Sequence, residues 1–412
     1  MLLSLLPPEA QLLFLAANSS TSDSRILQLM KPDLNWVDLC RLAEREKAAS
    51  VLWQRIEKLG AGNYPVEAAT HLRKLARVTA FHMTYLEQLV TASAKALDEA
   101  GIDYALLKGA ALACSVYGSF VQRPMIDVDI LVKKSDGDFA VDALLSAGWV
   151  WRAEKPRDGD YSHLHHLPAL VDPNGMVSVE VHTSILPAAA PFNITTEQIF
   201  ASARLVRFRE FEVRVTDPVY LLLHSCIHFA WSHLFRSAAW RTFRDTTALI
   251  SQYDFDWDKF VGLARSHKAE SCCFWTLHLA RELVGAPIPD GVLNALRPRL
   301  PALVLRTLAR HFTLILTPSG PSCPSVTLRR VMWTSGILPR ASGHSGTRPW
   351  EVLALLPEDR QRRGAQPRKG GPGRDEKSGR NWLQYCARVL IPSSPFSSST
   401  ASPRVLRNAA DL

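Results

Sequence analysis

Two carboxylates, Asp127 and Asp129, sit two residues apart in the run Arg123-Pro124-Met125-Ile126-Asp127-Val128-Asp129-Ile130-Leu131-Val132. On an extended strand alternate side chains share a face, which sets these two acids about 6.5–7 Å apart on one side. Val128, Ile130 and Val132 then point the other way, toward a core. Like charges this close are unfavourable unless a cation neutralises them, and a divalent metal is the usual answer. The competing reading is a strand end whose aspartates simply face water.

Other residues could join them. Lys108-Gly109 falls where a short apolar strand gives way to a helix, a place where backbone amides and the helix dipole favour phosphate. An ordinary turn is the alternative. Arg123, four residues before Asp127, could pair with one of these two aspartates or reach a triphosphate. A two-metal site wants a third acid, and Val177-Ser178-Val179-Glu180-Val181-His182 offers Glu180, with His182 on the same face. An acid inside a β-branched strand is costly to bury unless paired or metal-bound. Asp172 competes for the role, but Asp172-Pro173-Asn174-Gly175 is better explained as a turn. His163, His165 and His166 raise the question of zinc, yet no regular ligand spacing and no cysteine pair accompany them. His224 and His228, spaced four apart on an apolar stretch with His233 beyond, read as core or groove-lining residues.

The elements that must position these groups follow from periodicity. Residues 8–100 read as helices: one opening at Pro8, one from Trp36 to Leu59, and a long one over 65–99 with an apolar stripe of Leu72, Leu75, Val78, Phe81, Leu86, Leu89 and Leu97. From Asp103 the pattern alternates strand, helix, strand, helix, followed by a mostly antiparallel group that includes 166–171, 176–185 and 205–215. Helices return from Asp217-Pro218 over about 238–251, 257–267, 271–285, 290–297, 300–316 and 326–334, with a short one at 349–356. The fold class is therefore α+β, a small mixed β-sheet core flanked by N-terminal helices and a C-terminal helical bundle. The units expected are 1–101 helical, 102–216 catalytic core, 217–335 helical, and 336–412 a Pro/Ser/Arg-rich stretch too poor in apolar surface to order.

A length of 412 residues, 47% of them hydrophobic and 21% charged, suits a globular chain with a sizeable core. The net charge is +9, but residues 357–412 alone hold 11 Lys/Arg against 5 Asp/Glu. The basic balance is thus mostly a property of the tail, and no specific DNA binding is expected. Seven cysteines without a C-x-x-C point to reduced, buried thiols in a cytoplasmic protein. The apolar N-terminus lacks a basic flank and breaks at Pro7-Pro8, so it does not read as a signal peptide, and no run has membrane-spanning length.

Taken together, Leu107-Lys108-Gly109-Ala110, a tyrosine-bearing helix, Arg-x-x-x-Asp-x-Asp-Ile-Leu-Val and Val179-Glu180-Val181-His182 resemble the uncharacterised bacterial nucleotidyltransferase family of the DNA polymerase β-like superfamily. The resemblance spans about residues 10–335, with its specific part in 106–182. Such nucleotidyltransferases usually carry Gly-Ser or Gly-Gly at the strand–turn–helix; this chain has Lys108-Gly109-Ala110, as do the Lys-Gly variants found in this family and in toxin-type nucleotidyltransferases. The resemblance implies that Asp127, Asp129 and Glu180 bind Mg²⁺ or Mn²⁺, and that Lys108, Gly109 and Arg123 meet the phosphates of an NTP. Trp240-Arg241-Thr242-Phe243-Arg244-Asp245 is similar to a Trp…Asp segment of the family, so Asp245 could reach the site or pair with Arg241. His182 could orient Glu180 or touch substrate. The implied reaction moves a nucleotidyl group to an acceptor hydroxyl on a sugar, peptide, protein or tRNA. Two other readings predict different behaviour: a regulatory protein that binds nucleotide without turnover, and a zinc hydrolase built on the histidines.

Overall fold

The β-branched run after Met125 does form a strand, and it lies in the middle of the sheet. The computed structural model describes residues 2–60, 62–152, 165–188, 190–317, 326–337 and 385–390. Seven strands make one mixed sheet: β1 Tyr104–Leu106, β2 Asp127–Val132, β3 Val150–Trp151, β4 Leu170–Val171, β5 Ser178–His182, β6 Arg204–Phe208 and β7 Phe211–Val215. Their order is β3-β4-β5-β2-β1-β7-β6. β2 pairs in parallel with β5 and antiparallel with β1, so the acid-bearing strand lies at the centre. The α+β class expected from the sequence is what forms.

Val128, Ile130 and Val132 of β2 and Val179 and Val181 of β5 are buried on the face away from the acids. The long helix α1, Val66–Glu99, covers that side together with Gly137–Ser146. It starts behind Pro65, whose fixed φ suits a helix entry, and stops before Gly101 in the left-handed conformation. Of the expected stripe, Leu72, Leu86 and Leu97 are buried, but Val78 and Phe81 are exposed on a face that no described element covers.

A further correction falls on Trp36–Leu59. This stretch forms two helices, Trp36–Arg45 and Ala49–Glu57. Lys47 takes φ 59°, and the Ala48 amide bonds back to the Ala43 carbonyl at 2.7 Å, which closes the first helix in a Schellman-type turn. Glycine normally holds that position, so a lysine there gives no warning in the sequence.

Past β1 the chain enters α2, Lys108–Leu112, and continues as a π-turn over Ala113–Tyr117 before Gly118 reverses it in the left-handed region. In the C-terminal half, α3, Pro218–Ile227, runs into a second π-turn over His228–Ser232. α3 packs against α2, α4 (Ala239–Gln252) and α5 (Glu270–Val284), which brings the helical bundle over the site end of β1 and β2. Trp149, Trp240 and Trp275 are buried, with indole N–H groups donating to Ser93, the Leu13 carbonyl and the Gly336 carbonyl. They build core. One buried cluster extends from Leu3 to Ile337.

Within the stretch expected to stay unordered, residues 385–390 are helical, and Tyr385 packs with Leu5 and Leu314 while hydrogen-bonding His311 Nδ1 at 2.6 Å. The helix expected at 349–356 lies outside the described residues. Among the described residues no helix is long and apolar enough to cross a membrane.

Candidate active site

Parallel pairing of β2 with β5 sets Asp129 directly opposite Glu180, and Leu131 opposite His182. Because side chains alternate, Asp127, Asp129, Glu180 and His182 all emerge on one face of the two strands. Ligand atoms of Asp129, Glu180 and His182 lie within 4.8 Å of one another, the one such group among the described residues. Asp127 stands outside this group, exposed at the mouth of the same cleft.

Asp129 is buried and carries two donors on a single oxygen. Lys108 Nζ and His182 Nε2 each lie 2.7 Å from its Oδ1. Oδ2 takes no hydrogen bond from any described residue. Burial alone would raise this carboxyl, but the Lys108 charge and the His182 hydrogen bond hold it well below the ordinary range. His182 also sits 3.6 Å from Glu180 Oε2. Its imidazole is depressed by burial, yet the hydrogen bonds to Asp129 and Glu180 outweigh that and leave it above its usual value. Glu180 is lowered, chiefly by His182, against burial. Asp127 is raised, first by withdrawal from water and then by the Asp129 charge, with Lys108 opposing. The least compensated acid is therefore the one at the mouth.

Lys108 adopts φ 44°, a left-handed backbone that a long side chain rarely accepts, and this aims its ammonium back at β2. Gly109 follows, and a Cβ there would sit tightly against Met125 Sδ at 3.3 Å and in ordinary contact with Arg123 Nη1 at 3.5 Å.

Arg123 bonds neither Asp127 nor Asp129 but a third aspartate, Asp245. Its Nε donates to Asp245 Oδ1 at 2.7 Å and Oδ2 at 2.8 Å, its Nη2 approaches Oδ2 at 2.7 Å, and the Tyr117 hydroxyl adds a fourth contact at 2.9 Å. Asp245 thus does reach the cleft, but it pairs with Arg123 and not with Arg241. The π-turn at Ala113–Tyr117 swings Tyr117 into this cluster, and the Arg244 guanidinium lies 4.4 Å above its ring.

The cleft so formed has a volume of about 340 Å³. Lys108, Gly109, Arg123, Asp127, Asp129, Glu180 and Asp245 all line it, so the sequence-derived residues converge, with His182 behind the acids. The opposite wall comes from α3, the π-turn that follows it and α4, and includes His224, His228, His233 and Arg241. Burial keeps these histidines neutral: His224 falls to about 3 and His233 to about 4. These three line the groove, one of the two places expected for them, and His224 Nε2 is buried there without a hydrogen-bond partner among the described residues.

His165 and His166 place their rings 5.4 Å from His182, but neither joins a metal-competent group among the described residues. His163 lies outside the described residues. Asp172 is taken up by its own turn, accepting from the Val177 and Asn174 amides and from Tyr85. Sequence reasoning missed Arg241 as a cleft residue, although its place four residues before Asp245 on one helix put it on the same face.

A family model described as an uncharacterised nucleotidyltransferase matches residues 32–285. No curated protein and no solved structure matches the chain.

Proposed function

Since the chain belongs to the uncharacterised nucleotidyltransferase family, we propose that it moves a nucleoside monophosphate from an NTP to an acceptor hydroxyl. A bond forms between the acceptor oxygen and the α-phosphorus, the α–β bridging bond breaks, and pyrophosphate leaves. The observation that carries this reading is the pairing of Asp129 with Glu180 across β2 and β5, with Lys108 Nζ 2.7 Å from Asp129.

The donor set suits a hard divalent cation. Asp127, Asp129 and Glu180 offer carboxylate oxygens, and Asp129 Oδ2 takes no hydrogen bond from any described residue. Mg²⁺ is typically held by one or two carboxylates together with substrate phosphates, and Mn²⁺ accepts the same ligands. When bound, such ions lower the pKa of the attacking hydroxyl and neutralise the triphosphate.

The protein's own groups supply position and charge. Glu180, whose carboxyl is lowered chiefly by the His182 hydrogen bond, would ligate on the hydroxyl side or accept the proton that the acceptor loses. His182 fixes the orientation of Asp129 through Nε2. Lys108 keeps a cation at the cleft floor. Gly109 leaves room for phosphate beside Arg123, whose guanidinium is aimed by Asp245. Catalysis is then mostly alignment and electrostatics.

The test is incubation of the chain with each α-labelled NTP, Mg²⁺ and cell extract, beside the Asp127→Ala/Asp129→Ala variant. Label should pass to an acceptor with the wild type alone. Equal transfer by both proteins would remove the assignment.

A further inference from the structure

Among the described residues three cationic side chains line the cleft, and two already have a carboxylate. Lys108 is paired with Asp129 and Arg123 with Asp245. Arg241 is not: it makes no ion pair and no side-chain hydrogen bond with any described residue, and its Nε is buried without a partner. Glu46 is the nearby acid that most offsets it, but that carboxylate is engaged by the Trp240 amide at 3.3 Å and by Arg45 at 3.8 Å. A withdrawn guanidinium without a counter-ion is unfavourable, and in a substrate cleft it is complemented when an anion arrives.

We propose that Arg241 holds the terminal phosphates of the bound triphosphate. This rests on the nucleotidyl-transfer reading and names the group that grips the leaving pyrophosphate. Arg241, Arg123 and Gly109 form a sequence of neighbours leading to Lys108 and the acids: Arg241 lies close enough to Arg123 for their like charges to interact, and Arg123 Nη1 is 3.5 Å from where a Gly109 Cβ would sit. His224, His228 and His233 on the same wall are neutral and do not compete for the anion. A guanidinium presents its donors in a planar fork that matches a phosphate through two parallel hydrogen bonds, which an ammonium cannot do.

The experiment measures dissociation constants of the full chain, with Mg²⁺ present, for the preferred NTP, its NMP and inorganic tripolyphosphate. Arg241→Met should weaken NTP and tripolyphosphate at least tenfold while NMP affinity stays within twofold, and Arg241→Lys should fall between. Thermal unfolding of each variant checks the fold. Equal weakening of NMP and NTP would overturn the proposal, as would unchanged NTP affinity with a raised KM for the acceptor. A wild-type chain that binds neither NTP nor tripolyphosphate would remove the transfer reading itself, whereas NTP binding left intact by Arg241→Met removes only this inference.

Discussion

Replacing Asp245 by Asn tests whether the Arg123–Asp245 bond is a structural strut of the cleft. The two side chains are 11% and 6% exposed, so water screens them little. The amide keeps the shape and one acceptor oxygen but removes the charge facing Arg123, whose other direct acceptor is the neutral Pro124 carbonyl at 2.9 Å. Removing one partner of a buried pair costs about 3–5 kcal/mol, because the other charge stays buried and uncompensated. A body this large shifts at the low end of the scale, roughly 2 °C per kcal/mol, so Tm should drop by about 6–10 °C.

The double variant Arg123→Met/Asp245→Leu should recover most of that loss, since a buried pair and a well-packed apolar replacement are close in free energy. Unfolding followed by tryptophan fluorescence reads all members of the cycle. Asp245→Asn within about 1 kcal/mol of wild type, or a double variant no better than the single ones, would show that the bond does not brace the cleft.

Two further outcomes are expected. His182→Asn should lower Mn²⁺ affinity about 10–100-fold, as loss of an orienting partner does at metal sites; titration of the ion followed by calorimetry reads it, and an unchanged affinity would detach His182 from Asp129. Stability should also fall on mild acidification, before carboxylates titrate. His224 and His311 are buried neutral with values of about 3 and about 4, each set first by burial. A base whose folded value is depressed contributes stability above its ordinary value near 6.5 and loses it as pH falls toward the folded value, because the unfolded chain takes up the proton first. Each should cost about 2 kcal/mol by pH 5, measurable as a lower urea midpoint than at pH 7. Equal midpoints would refute it.

Some of this architecture is readable from the chain and some is not, for physical reasons. The strand at Asp127–Val132 is legible because β-branched residues alternate with acids, and Glu180 because an acid interrupts a similar run. These are local signals. The break at Lys47 is hidden because the left-handed position carries no glycine. The partner of Arg123 is hidden too: Asp245 lies 122 residues away, on a helix whose placement depends on how the bundle packs. Arg241 looks like the natural mate of Asp245 by spacing along the helix. The bundle turns Asp245 toward Arg123 and Tyr117, which leaves Arg241 facing the cleft.

The register of β2 against β5 ties the stability of the core to the geometry of the acids. Asp129 opposes Glu180 only when Val128 opposes Val179 and Ile130 opposes Val181, so the apolar pairs and the polar pair are set by one alignment. A slip of one residue would turn Glu180 and His182 into the apolar layer beneath α1 and bring valines to the cleft. Burying a carboxylate there without a partner costs several kcal/mol, far more than a strand this short gains from any single pairing. Packing therefore excludes the misaligned forms, and the acids need no dedicated bond to bring Asp129 and Glu180 face to face. Lys108 and His182 can then bind the same oxygen of Asp129, while its other oxygen takes no hydrogen bond from any described residue.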